Sequence, residues 1–155
     1  MPEIRPVTKD NWRVLTKLQV SEAQKHFVAS NVYSIAESQF GFDDRVHGRW
    51  DLHSFGIYDG DVAVGFLMYG FNFGHPKQQA FIVRLMVDER FQGKGHGRFG
   101  MEKMLEIFRT DERIQVVGIS YEPENEGARK LYASLGFVEP GEMIGDEVLA
   151  VLKLR

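Results

Sequence analysis

The stretch Val87–Gly100, VDERFQGKGHGRFG, joins an apolar run to a long amphipathic segment through a turn holding Gly93, Gly95 and Gly97, with Gly100 just beyond. Upstream, QAFIVRLMV (79–87) is nearly continuous in apolar residues, as expected of a strand covered on both faces. Downstream, Met101, Met104, Leu105 and Phe108 recur at i, i+3, i+4 and i+7, one stripe of a helix. A strand that ends in a glycine-rich turn and opens a helix makes an anion site. Glycines let the backbone approach a ligand, and free amides of the first helical turn point toward negative charge. Lys94 and Arg98 add positive charge, so a phosphate or pyrophosphate is the expected ligand.

Working outward, IQVVGI (114–119) predicts another strand. Ala128, Leu131, Tyr132 and Leu135 predict another helix, with Asn125 placed to cap it and Gly136 to end it. EVLAVLK (147–153) reads as a closing strand. On the N-terminal side, PEIRPV (2–7) suits an edge strand, because its prolines are tolerated there. Thr8 is placed to cap a helix carrying Trp12, Leu15 and Leu18. Ser21–Gln39 predicts one or two helical pieces with Phe27, Val28, Val32, Ile35 and Ala36 apolar, and Gly41–Trp50 an irregular loop. Two strand-like runs then flank Asp59-Gly60-Asp61, a hairpin signal. Strands alternating with helices in the second half call for an α/β layered fold.

Composition narrows the function. The 155 residues suit one domain spanning 1–155, and the net charge of −3 with scattered basic residues gives no footprint for nucleic acid. With no cysteine, disulfides, thiolate zinc sites and cysteine nucleophiles are excluded. The five histidines show no ligand spacing, so no metal is expected. No apolar run approaches the ~20 residues of a membrane span and the start lacks a signal-peptide core, which leads to the expectation of a cytoplasmic protein without membrane partners.

Three phosphate-binding readings compete for the glycine turn. A P-loop needs Gly-Lys followed by Ser or Thr, and here Lys94 precedes Gly95. Gly95, Gly97 and Gly100 spell the dinucleotide fingerprint G-x-G-x-x-G, with Glu122 about twenty residues later. Yet Asp88–Gln92 separates the strand from that loop, and only 33 residues follow Glu122, too few for a full parallel sheet. Gln92-Gly93-Lys94-Gly95-His96-Gly97 instead fits Q-x-x-G-x-G. With RLMVDERF before it and NEGARKLYASLGF after it, the chain resembles the GCN5-related N-acetyltransferase (GNAT) superfamily, most strongly over residues 79–139. LQVSEAQKHFVASN, GIYDGDVAVGFLMYG and RLMVDERFQGKGHGR are most similar to small bacterial spermine/spermidine acetyltransferases.

That resemblance implies a mixed, mostly antiparallel central sheet, splayed near the cofactor and flanked by helices. It implies acetyl-CoA as donor, its pyrophosphate on Gln92, Gly93, Lys94, Gly95, His96, Gly97 and Arg98, and its pantetheine arm along Leu85, Met86 and Val87. An amide of Met86 or Val87 would stabilise the oxyanion. Asn125 would contact the arm or cap the next helix. Tyr132, aligned with the superfamily's usual general acid, would protonate the departing thiolate, while its place on the apolar stripe equally suits a core residue.

Some relatives carry a carboxylate base on the strand before the loop; Val83 and Arg84 stand there instead, leaving Glu22, Glu37 and Asp51 as candidates. Those acids, with Phe27 and Tyr69, would also suit a cationic acceptor such as a polyamine. Another small amine, a protein N-terminus, or a non-catalytic CoA-binding role are the rival readings. Relatives are often dimeric, and EVLAVLK is the strand expected to serve a homodimer.

Overall fold

The computed structural model describes residues 1–27 and 29–155; Val28, assigned above to an apolar helical face, lies outside the described residues. In chain order the elements are β1 (Pro2–Pro6), α1 (Trp12–Thr16), a 3-10 turn (Glu22–Phe27), α2 (Asn31–Phe40), β2 (Phe42–Asp44), β3 (Gly48–Asp59), β4 (Val62–Phe71) and β5 (Ala80–Val87). A second 3-10 turn (Glu89–Phe91) precedes α3 (His96–Arg109), β6 (Val116–Tyr121), α4 (Glu126–Ser134), β7 (Met143–Ile144) and β8 (Glu147–Lys153). The strands form an open sheet in the order β1-β3-β4-β5-β6-β8-β7, with β2 on β3. Every pairing is antiparallel except β5 with β6. One parallel pair is too few for a dinucleotide fold.

Both faces of the sheet are covered. Met101, Met104, Leu105 and Phe108 of α3 are buried against Ile57, Leu67, Tyr69 and Ile82 on one face. Leu15 and Leu18 pack with Phe66, Met68 and Met86 on the other. A Cβ at Gly100 would stand 3.0 Å from Ile57 Cδ1 and 3.2 Å from Leu85 Cδ1, so this glycine lets α3 lie close on the sheet. The hairpin turns at Gly60, whose φ of 61° suits glycine.

Several N-terminal expectations need correction. Thr8 does not cap α1: its hydroxyl accepts from the Asp10 amide, its own amide donates to the Asn11 side chain, and the helix starts only at Trp12. Gly41–Trp50 is not irregular, because β2 and the start of β3 pair there through a turn that Asp44 caps at the Val46 and His47 amides. In α2 the buried residues are Asn31 and Ser34, while Val32 is exposed. That helix docks through polar contacts: Asn31 Nδ2 donates to the Leu15 carbonyl at 2.8 Å, and Ser34 Oγ accepts from Arg84 Nε at 3.1 Å. Apolar periodicity cannot report such a face. At the C-terminal side EVLAVLK lies between β6 and β7, and Val138 bridges to its Val151.

Candidate active site

The site follows from how β5 and β6 part. They pair at only three positions, Ala80 with Val117, Phe81 with Gly118 and Ile82 with Ile119. Beyond these, β5 runs on to Val87 held only by β4, and β6 runs on to Tyr121 held only by β8. The facing edges are unpaired, leaving backbone donors and acceptors free for a bound chain. At the far end the Asp88 amide donates to the Val64 carbonyl at 2.8 Å. Ladder bonds alternate along an antiparallel strand, so the Val87 amide and carbonyl turn away from β4 into the gap. Gln92 Nε2 meets that carbonyl at 2.9 Å and reaches Gln24 Oε1 at 3.0 Å.

The glycine turn closes one end of this gap. Gly93 and Gly95 have φ of 78° and 87°, and Gly95 sits at the N-cap of α3 without any side-chain cap. The first amides of α3 therefore have no intrahelical acceptor. Ideal Cβ atoms at Gly93 and Gly95 would meet nothing within 4 Å, and one at Gly97 only Leu131 and Val87 at 3.9 Å. An uncapped helix start with open space before it fits a diphosphate.

A cleft of about 350 Å³ joins these parts. Leu85, Met86, Val87, Gln92, Gly93, Gly95, His96, Gly97, Asn125 and Tyr132 line it, as does Phe27. Lys94 and Arg98 do not: Lys94 Nζ lies over the Phe91 ring and Arg98 donates to Ser134 Oγ. Asn125 caps α4, its Oδ1 accepting from the Ala128 amide at 3.2 Å, while it also borders the cleft. Capping and ligand contact are therefore not exclusive.

Asp88, which sequence reasoning passed over, pins the end of β5. The residue is 2% exposed, and its carboxylate accepts from the Gln19 amide, the Arg90 amide and Arg90 Nε. Burial pushes its pKa up, but these hydrogen bonds, Arg90's foremost, outweigh it and hold the carboxyl below the usual range.

A second cleft of about 350 Å³ opens from the gap, sharing Phe27, Leu85, Asn125 and Tyr132 with the first. Tyr132 is 8% exposed and packs against Tyr121 and Phe137. Burial, with a smaller push from the Glu147 charge, raises its pKa to about 12, so the phenol stays protonated at neutral pH. Ser120 and Glu147 also line this second cleft, and no sequence signal singled them out. A third groove, holding Trp50, His75 and Glu37, continues from it through Phe81, Val83 and Arg84.

The remaining expected acceptor residues divide. Glu37 stands at the third groove, but Arg84 Nη2 lies 3.5 Å from its carboxylate. Glu22, Asp51 and Tyr69 line none of the three clefts. Glu22 is exposed and paired with Lys25, and Asp51 is exposed and paired with Arg49. Tyr69 faces inward among Phe55, Phe71 and Phe108, where burial alone raises its pKa to about 12. Strand alternation sends Tyr69 into the core, and among the described residues Glu22, Glu37 and Asp51 line no common cleft.

The chain matches the acetyltransferase (GNAT) family over residues 12–137 and belongs to it. It is thus an acetyl-CoA-dependent N-acetyltransferase. A spermine/spermidine N(1)-acetyltransferase of Bacillus subtilis (strain 168) is 26% identical over 144 residues, covering 90% of each chain. Among solved structures, a spermidine N-acetyltransferase from Vibrio cholerae, in complex with CoA and spermine, superposes with a TM-score of 0.71 at 16% identity, covering 98% of this chain and 95% of that one. The aminoglycoside acetyltransferase AAC(6')-Ib, in complex with coenzyme A, gives 0.75 at 14% identity, covering 99% and 95%. At such identities the two structures attest the shared fold. Among the described residues no helix is long and apolar enough to cross a membrane.

Proposed function

We propose that this chain, acting as one catalytic unit over residues 1–155, moves the acetyl group of acetyl-CoA to a primary amine, with a polyamine such as spermidine or spermine as favoured acceptor. The donor's diphosphate rests on the free amides at the start of α3, and its pantetheine arm pairs with the open edge of β5. The Val87 amide, turned into the gap, stabilises the oxyanion that forms when the amine attacks the thioester carbonyl. Asn125 borders the arm while capping α4. Tyr132 gives the departing sulfur a hydrogen bond and its proton. Because burial keeps the phenol neutral, that donor is present throughout the working pH range.

The observation that carries this reading is the three-pair junction of β5 and β6. It opens a gap with an uncapped helix at one end and a buried tyrosine across it. The acceptor class draws support from the name of the Bacillus subtilis relative. It draws further support from the two adjoining clefts that lead away from the gap past Phe27 toward Trp50, joined at Phe81, Val83 and Arg84. A thiol-release assay over a panel of amines, spermidine and spermine included, is the test. Turnover of polyamines supports the reading. Turnover confined to another amine class removes the polyamine assignment, and donor binding without any turnover points to a coenzyme-binding protein.

A further inference from the structure

The β5 strand carries no acid, and Glu37, the expected carboxylate that lines the third groove, is matched by Arg84. Yet a neutralising group for a cationic acceptor has a place in this molecule. Glu147, the first residue of β8, lines the second cleft together with Ser120, Leu85 and Tyr132. Ser120 Oγ donates to Glu147 Oε1 at 2.6 Å, which fixes the carboxylate's orientation. Among the described residues Glu147 makes no ion pair, and the bond from Ser120 is the one side-chain hydrogen bond of its carboxylate. Arg84, the permanent cation of that cleft, is already held by Glu37 and by Ser34 Oγ. The uncompensated charge facing the gap on this side is therefore negative.

We infer that Glu147, oriented by Ser120, is the residue that receives the ammonium of the acceptor and selects cationic amines at the mouth of the gap. The free oxygen takes a charge-assisted hydrogen bond from the incoming nitrogen, and the bond from Ser120 keeps the carboxylate from rotating away. Its charge is felt at the Tyr132 hydroxyl, which places the bound amine and the thiolate's proton donor within one electrostatic neighbourhood. The acceptor thus enters through the second cleft, which meets the donor's at the shared residues Phe27, Leu85, Asn125 and Tyr132. The bound ammonium gives up one proton to solvent before attack. As the C–N bond forms and the C–S bond breaks, the nitrogen loses a second proton, which by way of water restores the Tyr132 hydroxyl after it has protonated the sulfur. The third proton stays on the amide.

This inference rests on the amine-acetylating reading above, and the test separates the two. Steady-state kinetics would compare wild type, Glu147→Gln and Glu147→Asp, using the amine that wild type turns over best. Gln keeps an acceptor for Ser120 and removes only the charge. The KM for the amine is expected to rise about 10- to 100-fold in Glu147→Gln, the worth of one charge-assisted contact, with the KM for acetyl-CoA and the melting temperature little changed. Glu147→Asp is expected to recover part of the loss. An unchanged amine KM in Glu147→Gln overturns the assignment even if polyamines are good substrates. Turnover of a cationic amine other than a polyamine, with the same KM shift, supports it while removing the polyamine reading. A wild-type enzyme that turns over only uncharged acceptors, or none, overturns both.

Discussion

Two helices begin beside the same cleft and treat their first amides in opposite ways. At α4 the Asn125 side chain accepts from the Ala128 amide, so the helix start is satisfied from within. At α3 the N-cap is Gly95, which has no side chain to offer, and open space lies in front of it. The first arrangement is a device of stability, worth about 1 kcal/mol for a typical cap. The second gives up that gain and leaves donors and the positive end of a helix dipole free for an anion. Sequence chemistry at one position, Asn against Gly, thus separates a helix start capped from within from one left open.

The comparison can be broken most decisively through the residue that α4 supports. Tyr132→Phe keeps the ring packing against Tyr121 and Phe137 and removes only the hydroxyl. A fall in kcat of about 10²- to 10⁴-fold is expected, with CoA affinity nearly unchanged in a direct binding measurement. A wild-type kcat would show that α4 contributes no acid. Next in size, Gly97→Asp has room for its side chain and puts a carboxylate where the diphosphate is expected. CoA affinity should drop about 100-fold through like-charge repulsion. The melting temperature of the free protein should hold or rise, because an acid in a first helical turn is worth ~0.3–1 kcal/mol and glycine is a poor helix former. The two readouts moving in opposite directions would sharpen the contrast; tight CoA binding by this variant would end it.

A pH effect follows from the same tyrosine. Unfolded tyrosine ionises near 10, whereas Tyr132 and Tyr69 ionise only at about 12 in the fold. The unfolded state therefore sheds its protons first. Stability is fully present below pH ~10 and declines as pH rises through about 12. Thermal melts across that window should show the decline, and Tyr132→Phe should make it shallower. The smallest change expected is Asn125→Ala, a loss of about 1 kcal/mol in denaturant unfolding. That loss should exceed any change in CoA affinity, since α4 does not present its amides as the anion site.

Much of the site was legible because it is local. The glycine turn, the stripe of α3, the cap and glycine stop of α4 and the strand EVLAVLK each depend on residues a few positions apart, and each stands where its pattern put it. The acceptor side was not legible. Glu22 and Asp51 read as a cluster with Phe27 but are spent on Lys25 and Arg49 at the surface, and Tyr69 belongs to the core. Asn31 and Ser34 are polar residues on a buried helix face, which no apolar periodicity reports.

The amino-acid order by itself determined that a strand gives way to an uncapped helix through the permissive Gly93 and Gly95, because backbone freedom and missing side chains are properties of the residues themselves. Only the tertiary structure decided that β5 and β6 part after three pairs, and that Glu147 and Ser120 share a cleft with Tyr132. Those arrangements depend on which strands pair and in what register. A single-residue shift in register would turn every side chain of a strand to the opposite face.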